Sequence, residues 1–151
     1  MSNFYEAGRA AMTSNKDDWE TPQDLFESLD LTYHFGLDAA STHENAKCKD
    51  HYTAEDDGLA QSWQGYGTVW CNPPYGRTSP KWIEKMAKEA RGGVCIVALL
   101  PARTDTRAFH EYIYNKPNVR IEFIRGRLKF EVNGVAGQSA PFPSMLVYFN
   151  C

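Results

Sequence analysis

The sequence predicts a single α/β domain built on a mostly parallel sheet with an antiparallel edge. Three observations carry that reading. Short apolar runs alternate with amphipathic stretches of helical period, which is the pattern of strand–helix–strand units. One run, "VCIVALL" (94–100), is apolar throughout, as a central strand covered on both faces must be. The last two runs, "VRIEFI" (119–124) and "SMLVYF" (144–149), follow one another without a helical stretch between them, so they read as antiparallel.

The elements follow in order. Residues 1–18 are small, polar and aperiodic, and are expected to form a frayed segment ahead of a domain over 19–151. Thr21 is placed to cap a helix, Pro22 fits its first turn, Asp24 suits its positive end, and Leu25, Phe26 and Leu29 form its apolar face. "YHFGLDAA" (33–40) is a buried strand ending near Asp38, in which Gly36 signals close packing. A polar, irregular stretch follows, with a short strand at 51–53. "GTVWC" (67–71) is a clear strand stopped by prolines. "SPKWIEKMAKEAR" (79–91) is an amphipathic helix capped by Ser79, opened by Pro80 and ended by Gly92-Gly93. "DTRAFHEYIYN" (105–115) is a further helix. The link over 125–143 has room for one more short strand.

Hydrophobic residues make up 42% and charged residues 23%, enough for a sizeable core and a soluble surface. No apolar run reaches the roughly 18 residues of a membrane helix, and the N-terminus lacks the pattern of a secretory signal. The four cysteines, Cys48, Cys71, Cys95 and Cys151, form no CxxC pair, which predicts reduced thiols and a cytoplasmic protein. Charge is uneven. Residues 1–76 carry 4 Lys/Arg against 13 Asp/Glu, and residues 77–131 carry 12 against 6. One half therefore suits a cationic ligand and the other a polyanion. His43, Cys48 and His51 match no zinc spacing, so no metal is expected. Trp63, Trp70 and Trp82 read as core.

The chemistry concentrates at "CNPPYG" (71–76), beyond the carboxyl end of a strand, where ligands of open α/β sheets bind. Pro73 and Pro74 fix their own φ and hold the preceding residues extended. The Asn72 side chain and the Pro73 carbonyl are thereby held as acceptors, and Tyr75 adds a flat apolar face. Two acceptors beside a ring suit a planar group bearing NH2, such as the exocyclic amine of adenine. Accepting its hydrogens returns electron density to a poorly nucleophilic nitrogen and aims it at an electrophile.

With "DWETPQDLFESL", "LDAASTHENAKC", "YTAEDDGLAQSW", "VWCNPPYG", "LLPARTDTRAFHEYI" and "FIRGRLKF", the chain resembles the phage-type DNA adenine N6-methyltransferases over most of its length. The resemblance implies a compact, single-domain, class I (Rossmann-like) methyltransferase fold with S-adenosylmethionine as methyl donor and double-stranded DNA as partner. It gives the base-holding roles to Asn72, Pro73, Pro74 and Tyr75. It implies donor contacts for Trp19, Thr21 and Pro22, and for Asp38, Ala39 and Ala40 at the first cofactor loop. Asp57 is a further candidate at the adenine end of the donor. The usual FxGxG loop is missing from "LDAA". Arg77, Arg103, Arg107, Arg125, Arg127 and Lys129 are the candidates for DNA phosphates. Transfer to RNA or to a protein amide, or a silent nucleic-acid-binding module, are the alternative readings of the same residues.

Overall fold

The computed structural model describes residues 18–151, so the segment expected to fray lies almost wholly outside the described residues. Helix α1 (Gln23–Tyr33) leads into β1 (Phe35–Asp38), and β2 (Thr68–Cys71) follows a long irregular stretch. Helix α2 (Ser79–Arg91), β3 (Cys95–Pro101), a single π-helical turn (Phe109–Ile113) and β4 (Val119–Phe123) come next. A hairpin of β5 (Lys129–Val132) and β6 (Val135–Ser139) precedes β7 (Ser144–Phe149). Five strands form one sheet in the order β1-β2-β3-β7-β4, and the hairpin is a separate two-stranded sheet.

β1, β2 and β3 pair in parallel, and β7 runs antiparallel to both β3 and β4. The inverted strand is thus one position in from the edge, where "SMLVYF" is buried along its whole length. Alternation along the strands divides the core in two. Val69, Ile96, Ala98 and Leu100 pack with Trp63, Trp82, Ile83 and Met86 on one face. Trp70, Val97, Leu99 and Leu146 pack with Phe26, Tyr75 and Phe130 on the other. All three tryptophans expected in the core are there. Gly36 is a packing glycine: a Cβ there would meet the Tyr66 carbonyl oxygen at 1.9 Å.

Several local expectations change. Thr21 does not cap α1; the first helical N–H, of Gln23, is taken at 2.9 Å by a carboxylate oxygen of Glu131, 108 residues away. Ser79 is the first residue of α2 and makes no capping bond. The stretch 51–53 contributes a single bridge, Asp38 to His51. The segment 105–115 is helical over 107–113, its last turn π-helical, closed by the Tyr114 N–H on the Phe109 carbonyl at 2.8 Å and stopped by Asn115 at φ 58°. Two strands, not one, occupy the link, because Asn133 (φ 53°) and Gly134 (φ 82°) make the two-residue turn that right-twisted hairpins favour.

The cysteines also depart from expectation. Cys48 and Cys71 are free, but Cys95 and Cys151 form a disulfide. The antiparallel pairing of Ile96 with Phe149 brings these two flanking residues together, a proximity that spacing in sequence does not reveal. Among the described residues no helix is long and apolar enough to cross a membrane.

Candidate active site

The carboxyl ends of β1 and β2 open onto a cleft of about 480 Å³. Its walls come from Asp18–Thr21, from the chain leaving β1 at Asp38, and from Asn72, Pro73 and Pro74 leaving β2. A volume of this size suits one cofactor-sized molecule.

Asn72 is the chemical centre of this cleft. Its Nδ2 donates to the backbone carbonyl of Trp19 and to Thr21 Oγ1, the latter at 2.9 Å. A carbonyl can only accept, so the Trp19 contact fixes which end of the amide is nitrogen. Asn72 Oδ1 is left sealed from bulk water with no hydrogen-bond partner among the described residues. An unpaired buried amide oxygen costs about 1–3 kcal/mol. That cost is recovered when a ligand presents an N–H there. Pro73 is buried and Pro74 half-buried, which holds the corner in place.

Tyr75 departs from its expected place. Its ring is 3% exposed and packs edge-on against Phe130 and Phe142. Its hydroxyl donates to the Leu99 carbonyl at 2.9 Å, and burial pushes the phenol well above its ordinary pKa. The ring does not line the cleft. It anchors the corner to β3 rather than offering a stacking face.

The other predicted cleft residues divide. Trp19, Thr21, Asp38, Ala39, Ala40 and Asp57 all line the cleft. Pro22 does not; it precedes α1, and its carbonyl accepts the Phe26 N–H at 3.2 Å. Asp38 is buried, which raises its carboxyl pKa from 3.8 to about 6, although N–H bonds from Lys47 (2.9 Å) and Ala40 (3.2 Å) oppose the shift. Those two bonds fold residues 40–47 over the end of β1. Acidic side chains dominate the walls, with Asp18, Glu20, Glu44, Glu55 and Asp57 beside Asp38.

Gly58 packs directly against the "LDAA" turn. A Cβ there would stand 2.4 Å from the Ala39 carbonyl oxygen and 3.1 Å from the Trp82 ring. The preceding residue, Asp57, holds a left-handed turn (φ 60°) on the cleft wall. Ser41 was not singled out in the sequence. Its Oγ is a second buried cleft atom without a partner among the described residues, and a serine in a polar loop gives no advance signal of that. Glu20 was also missed: its carboxylate receives the Asn133 and Gly134 N–H groups at 3.3 Å each, tying the cleft wall to the hairpin turn. Opposed "E" and "NG" motifs more than a hundred residues apart do not announce such a contact.

The basic candidates are all exposed. Arg77 sits just past the corner, and Arg103 is close enough to Tyr75 to act on it electrostatically. Arg103 also lines a second, smaller cavity with Gly76, Ser79 and Thr106. Arg125 and Arg127 lie between β4 and the hairpin and Lys129 opens β5; Arg127 donates to the Ala140 carbonyl at 3.4 Å. Arg107 is held by Glu111 at 3.0 Å, an exposed pair one helical turn apart. His43 and His51 share a 2.9 Å contact, and no cluster of three or more metal-ligating side chains occurs among the described residues.

Comparison with known proteins matches this frame. A family model described as DNA N-6-adenine-methyltransferase (Dam) covers residues 9–150. The DNA N-6-adenine-methyltransferase of Escherichia phage T1 is 32% identical over 120 residues, 79% of this chain and 49% of the relative. The protein of the same description from Haemophilus phage HP1 is 28% identical over 141 residues, 90% of this chain and 80% of the relative. The chain spans about half the length of the phage T1 protein. The match runs through both walls of the cleft and the Asn72 corner, and the chain belongs to the DNA N-6-adenine-methyltransferase (Dam) family.

Proposed function

We propose that this chain transfers a methyl group from S-adenosylmethionine to the exocyclic N6 of adenine in duplex DNA. The observation that carries the reading is the unpaired Asn72 Oδ1 on the cleft wall. An acceptor already desolvated gives up no water when an amino group docks on it, so its effect falls on the reacting nitrogen. The strand order, with inverted β7 inside the sheet, supports a compact class I methyltransferase domain. A phage-encoded enzyme of this kind works on DNA in the host cytoplasm.

The cleft fits the donor by its chemistry. Acidic walls suit a cation, and Ser41 Oγ and Asn72 Oδ1 stand ready for polar groups. When bound, S-adenosylmethionine supplies an electrophilic methyl on a sulfonium. Asp38, Asp57, Ala39, Ala40, Trp19 and Thr21 are the residues proposed to hold it. Pro22 supports them indirectly by starting α1. The rest of the work belongs to the corner. Asn72 Oδ1 and the Pro73 carbonyl accept the two amine hydrogens, and Pro74 and Tyr75 keep both acceptors still. The proton leaves N6 after the new bond forms, so no dedicated base is needed. An adenine paired and stacked inside a duplex cannot present its amine to the corner, so it must leave the stack. Arg77, Arg103, Arg125, Arg127 and Lys129 meet the phosphates, and Arg107 joins them by releasing Glu111.

Incubation with methyl-labelled donor and unmethylated duplex DNA tests the reading. Label recovered in N6-methyladenine supports it. Label confined to RNA or to protein overturns the choice of substrate, and donor binding with no transfer overturns the reaction.

A further inference from the structure

We infer that the β5–β6 hairpin is the element that reads the DNA sequence around the target adenine, and that it is mechanically joined to Asn72. This rests on the methyl-transfer reading above. The hairpin is a two-stranded ribbon outside the main sheet. A ribbon of that kind fits the major groove, where base pairs are distinguishable.

Its surface carries the complementary features. At its tip Val132 is 63% and Val135 69% exposed, although the two pair directly across the turn. The two valines steady the ribbon as a cross-strand β-branched pair, and their exposed methyl groups match the C5-methyl of thymine. Asn133 and Gln138 are exposed beside them and offer amides for base edges. The acids nearby are committed elsewhere. The Glu131 carboxylate accepts from Gln23 N–H, and that of Glu20 from the turn N–H groups. At the root, exposed Arg125, Arg127 and Lys129 supply the positive charge that a phosphate backbone demands.

The joint to the active site is continuous. Phe130 of β5 packs against Tyr75 and against Trp19, with ring centroids 6.1 and 5.5 Å apart. The Glu131 N–H donates to the Glu20 carbonyl at 2.9 Å, and the neighbouring Trp19 carbonyl holds the Asn72 amide. A duplex seated on the hairpin steadies residues 19–20 and so steadies Asn72. Correct sequence then promotes turnover as well as binding.

The test uses the full chain with Val132→Ser and Val135→Ser combined, and Gln138→Ala separately. Each is assayed on a duplex library with randomised bases around adenine, and the methylated positions are read by sequencing. Duplex binding is measured in parallel. The expected result is loss of flanking-base preference, with kcat/KM on the parent's preferred site falling roughly tenfold. Donor affinity should match the parent, and the melting temperature should fall by no more than about 4 °C, the loss of one cross-strand valine pair. An unchanged flanking preference in both variants would overturn the inference. A parent that binds the library with sequence preference lost in the variants, yet transfers no methyl, separates failure of the reaction from failure of the hairpin's role.

Discussion

Removing the Asn72 amide is the sharpest perturbation of this site, because its two ends do different jobs. In Asn72→Ala the Trp19 carbonyl and Thr21 Oγ1 lose the donor they share, and the future partner of the substrate amine vanishes. The first loss acts on stability. Two hydrogen bonds at about 0.5–1.5 kcal/mol each suggest roughly 1–3 kcal/mol. Asn72 Oδ1 is unpaired in the free protein, so deleting it returns part of that cost. The expected net is therefore about 1–2 kcal/mol, or a melting temperature lower by roughly 2–8 °C. The second loss acts only when substrate is bound. Removing one preorganised group from a developing charge costs about 10²–10³ in kcat. Label-transfer rates at saturating donor and DNA measure this, while thermal melting and calorimetric donor titration track the fold and the cleft. A variant that melts as expected but turns over within threefold of the parent would refute the role given to Asn72 Oδ1.

Other outcomes follow from the same geometry. Burial raises the Asp38 carboxyl from its ordinary 3.8 to about 6, so the folded chain holds an extra proton and loses about 3 kcal/mol as pH rises from 4 through 6. A cationic donor favours the ionised form, so its affinity should rise up to tenfold per unit between pH 5 and 6 and level off above 7. A flat titration curve across that range argues against Asp38 facing the donor. Tyr75→Phe should keep turnover within a few-fold and lower stability by about 1–2 kcal/mol through the freed Leu99 carbonyl; Tyr75→Ala, which empties the packed ring site, should cost about 3–5 kcal/mol. A large kcat loss in Tyr75→Phe with an unchanged melt would restore a direct role for the hydroxyl. Gly58→Ala should weaken donor binding at least tenfold, since its Cβ must displace the Ala39 carbonyl at the cleft wall; unchanged affinity would show that this close approach is dispensable.

Strands were legible wherever burial on both faces forced an uninterrupted apolar run, as in "VCIVALL" and "SMLVYF". The corner was legible because two prolines impose their geometry locally. What stayed hidden depends on contacts distant in sequence. Glu131 replacing Thr21 as the cap of α1, Gly58 packing against Ala39, and Tyr75 turning into the core all join segments far apart in sequence. The "NG" of the hairpin is a local signal for a turn between two strands. The pairing of Cys95 with Cys151 required knowing that β7 lies beside β3.

That placement of β7 governs how the molecule is made. On a translating ribosome β1, β2 and β3 emerge early and can pair in order, but β4 has no place beside them until a strand still to be synthesised slides in between. Until then one edge of β3 is open and β4 has no sheet to pair with. The late insertion of "SMLVYF" closes the sheet by pairing with β3 and β4 together, whereas the hairpin docks on residues 19–23 and Tyr75, which are already made. A nascent chain stalled short of β7 would expose the apolar edge of β3, and that is where chaperone binding and aggregation would concentrate.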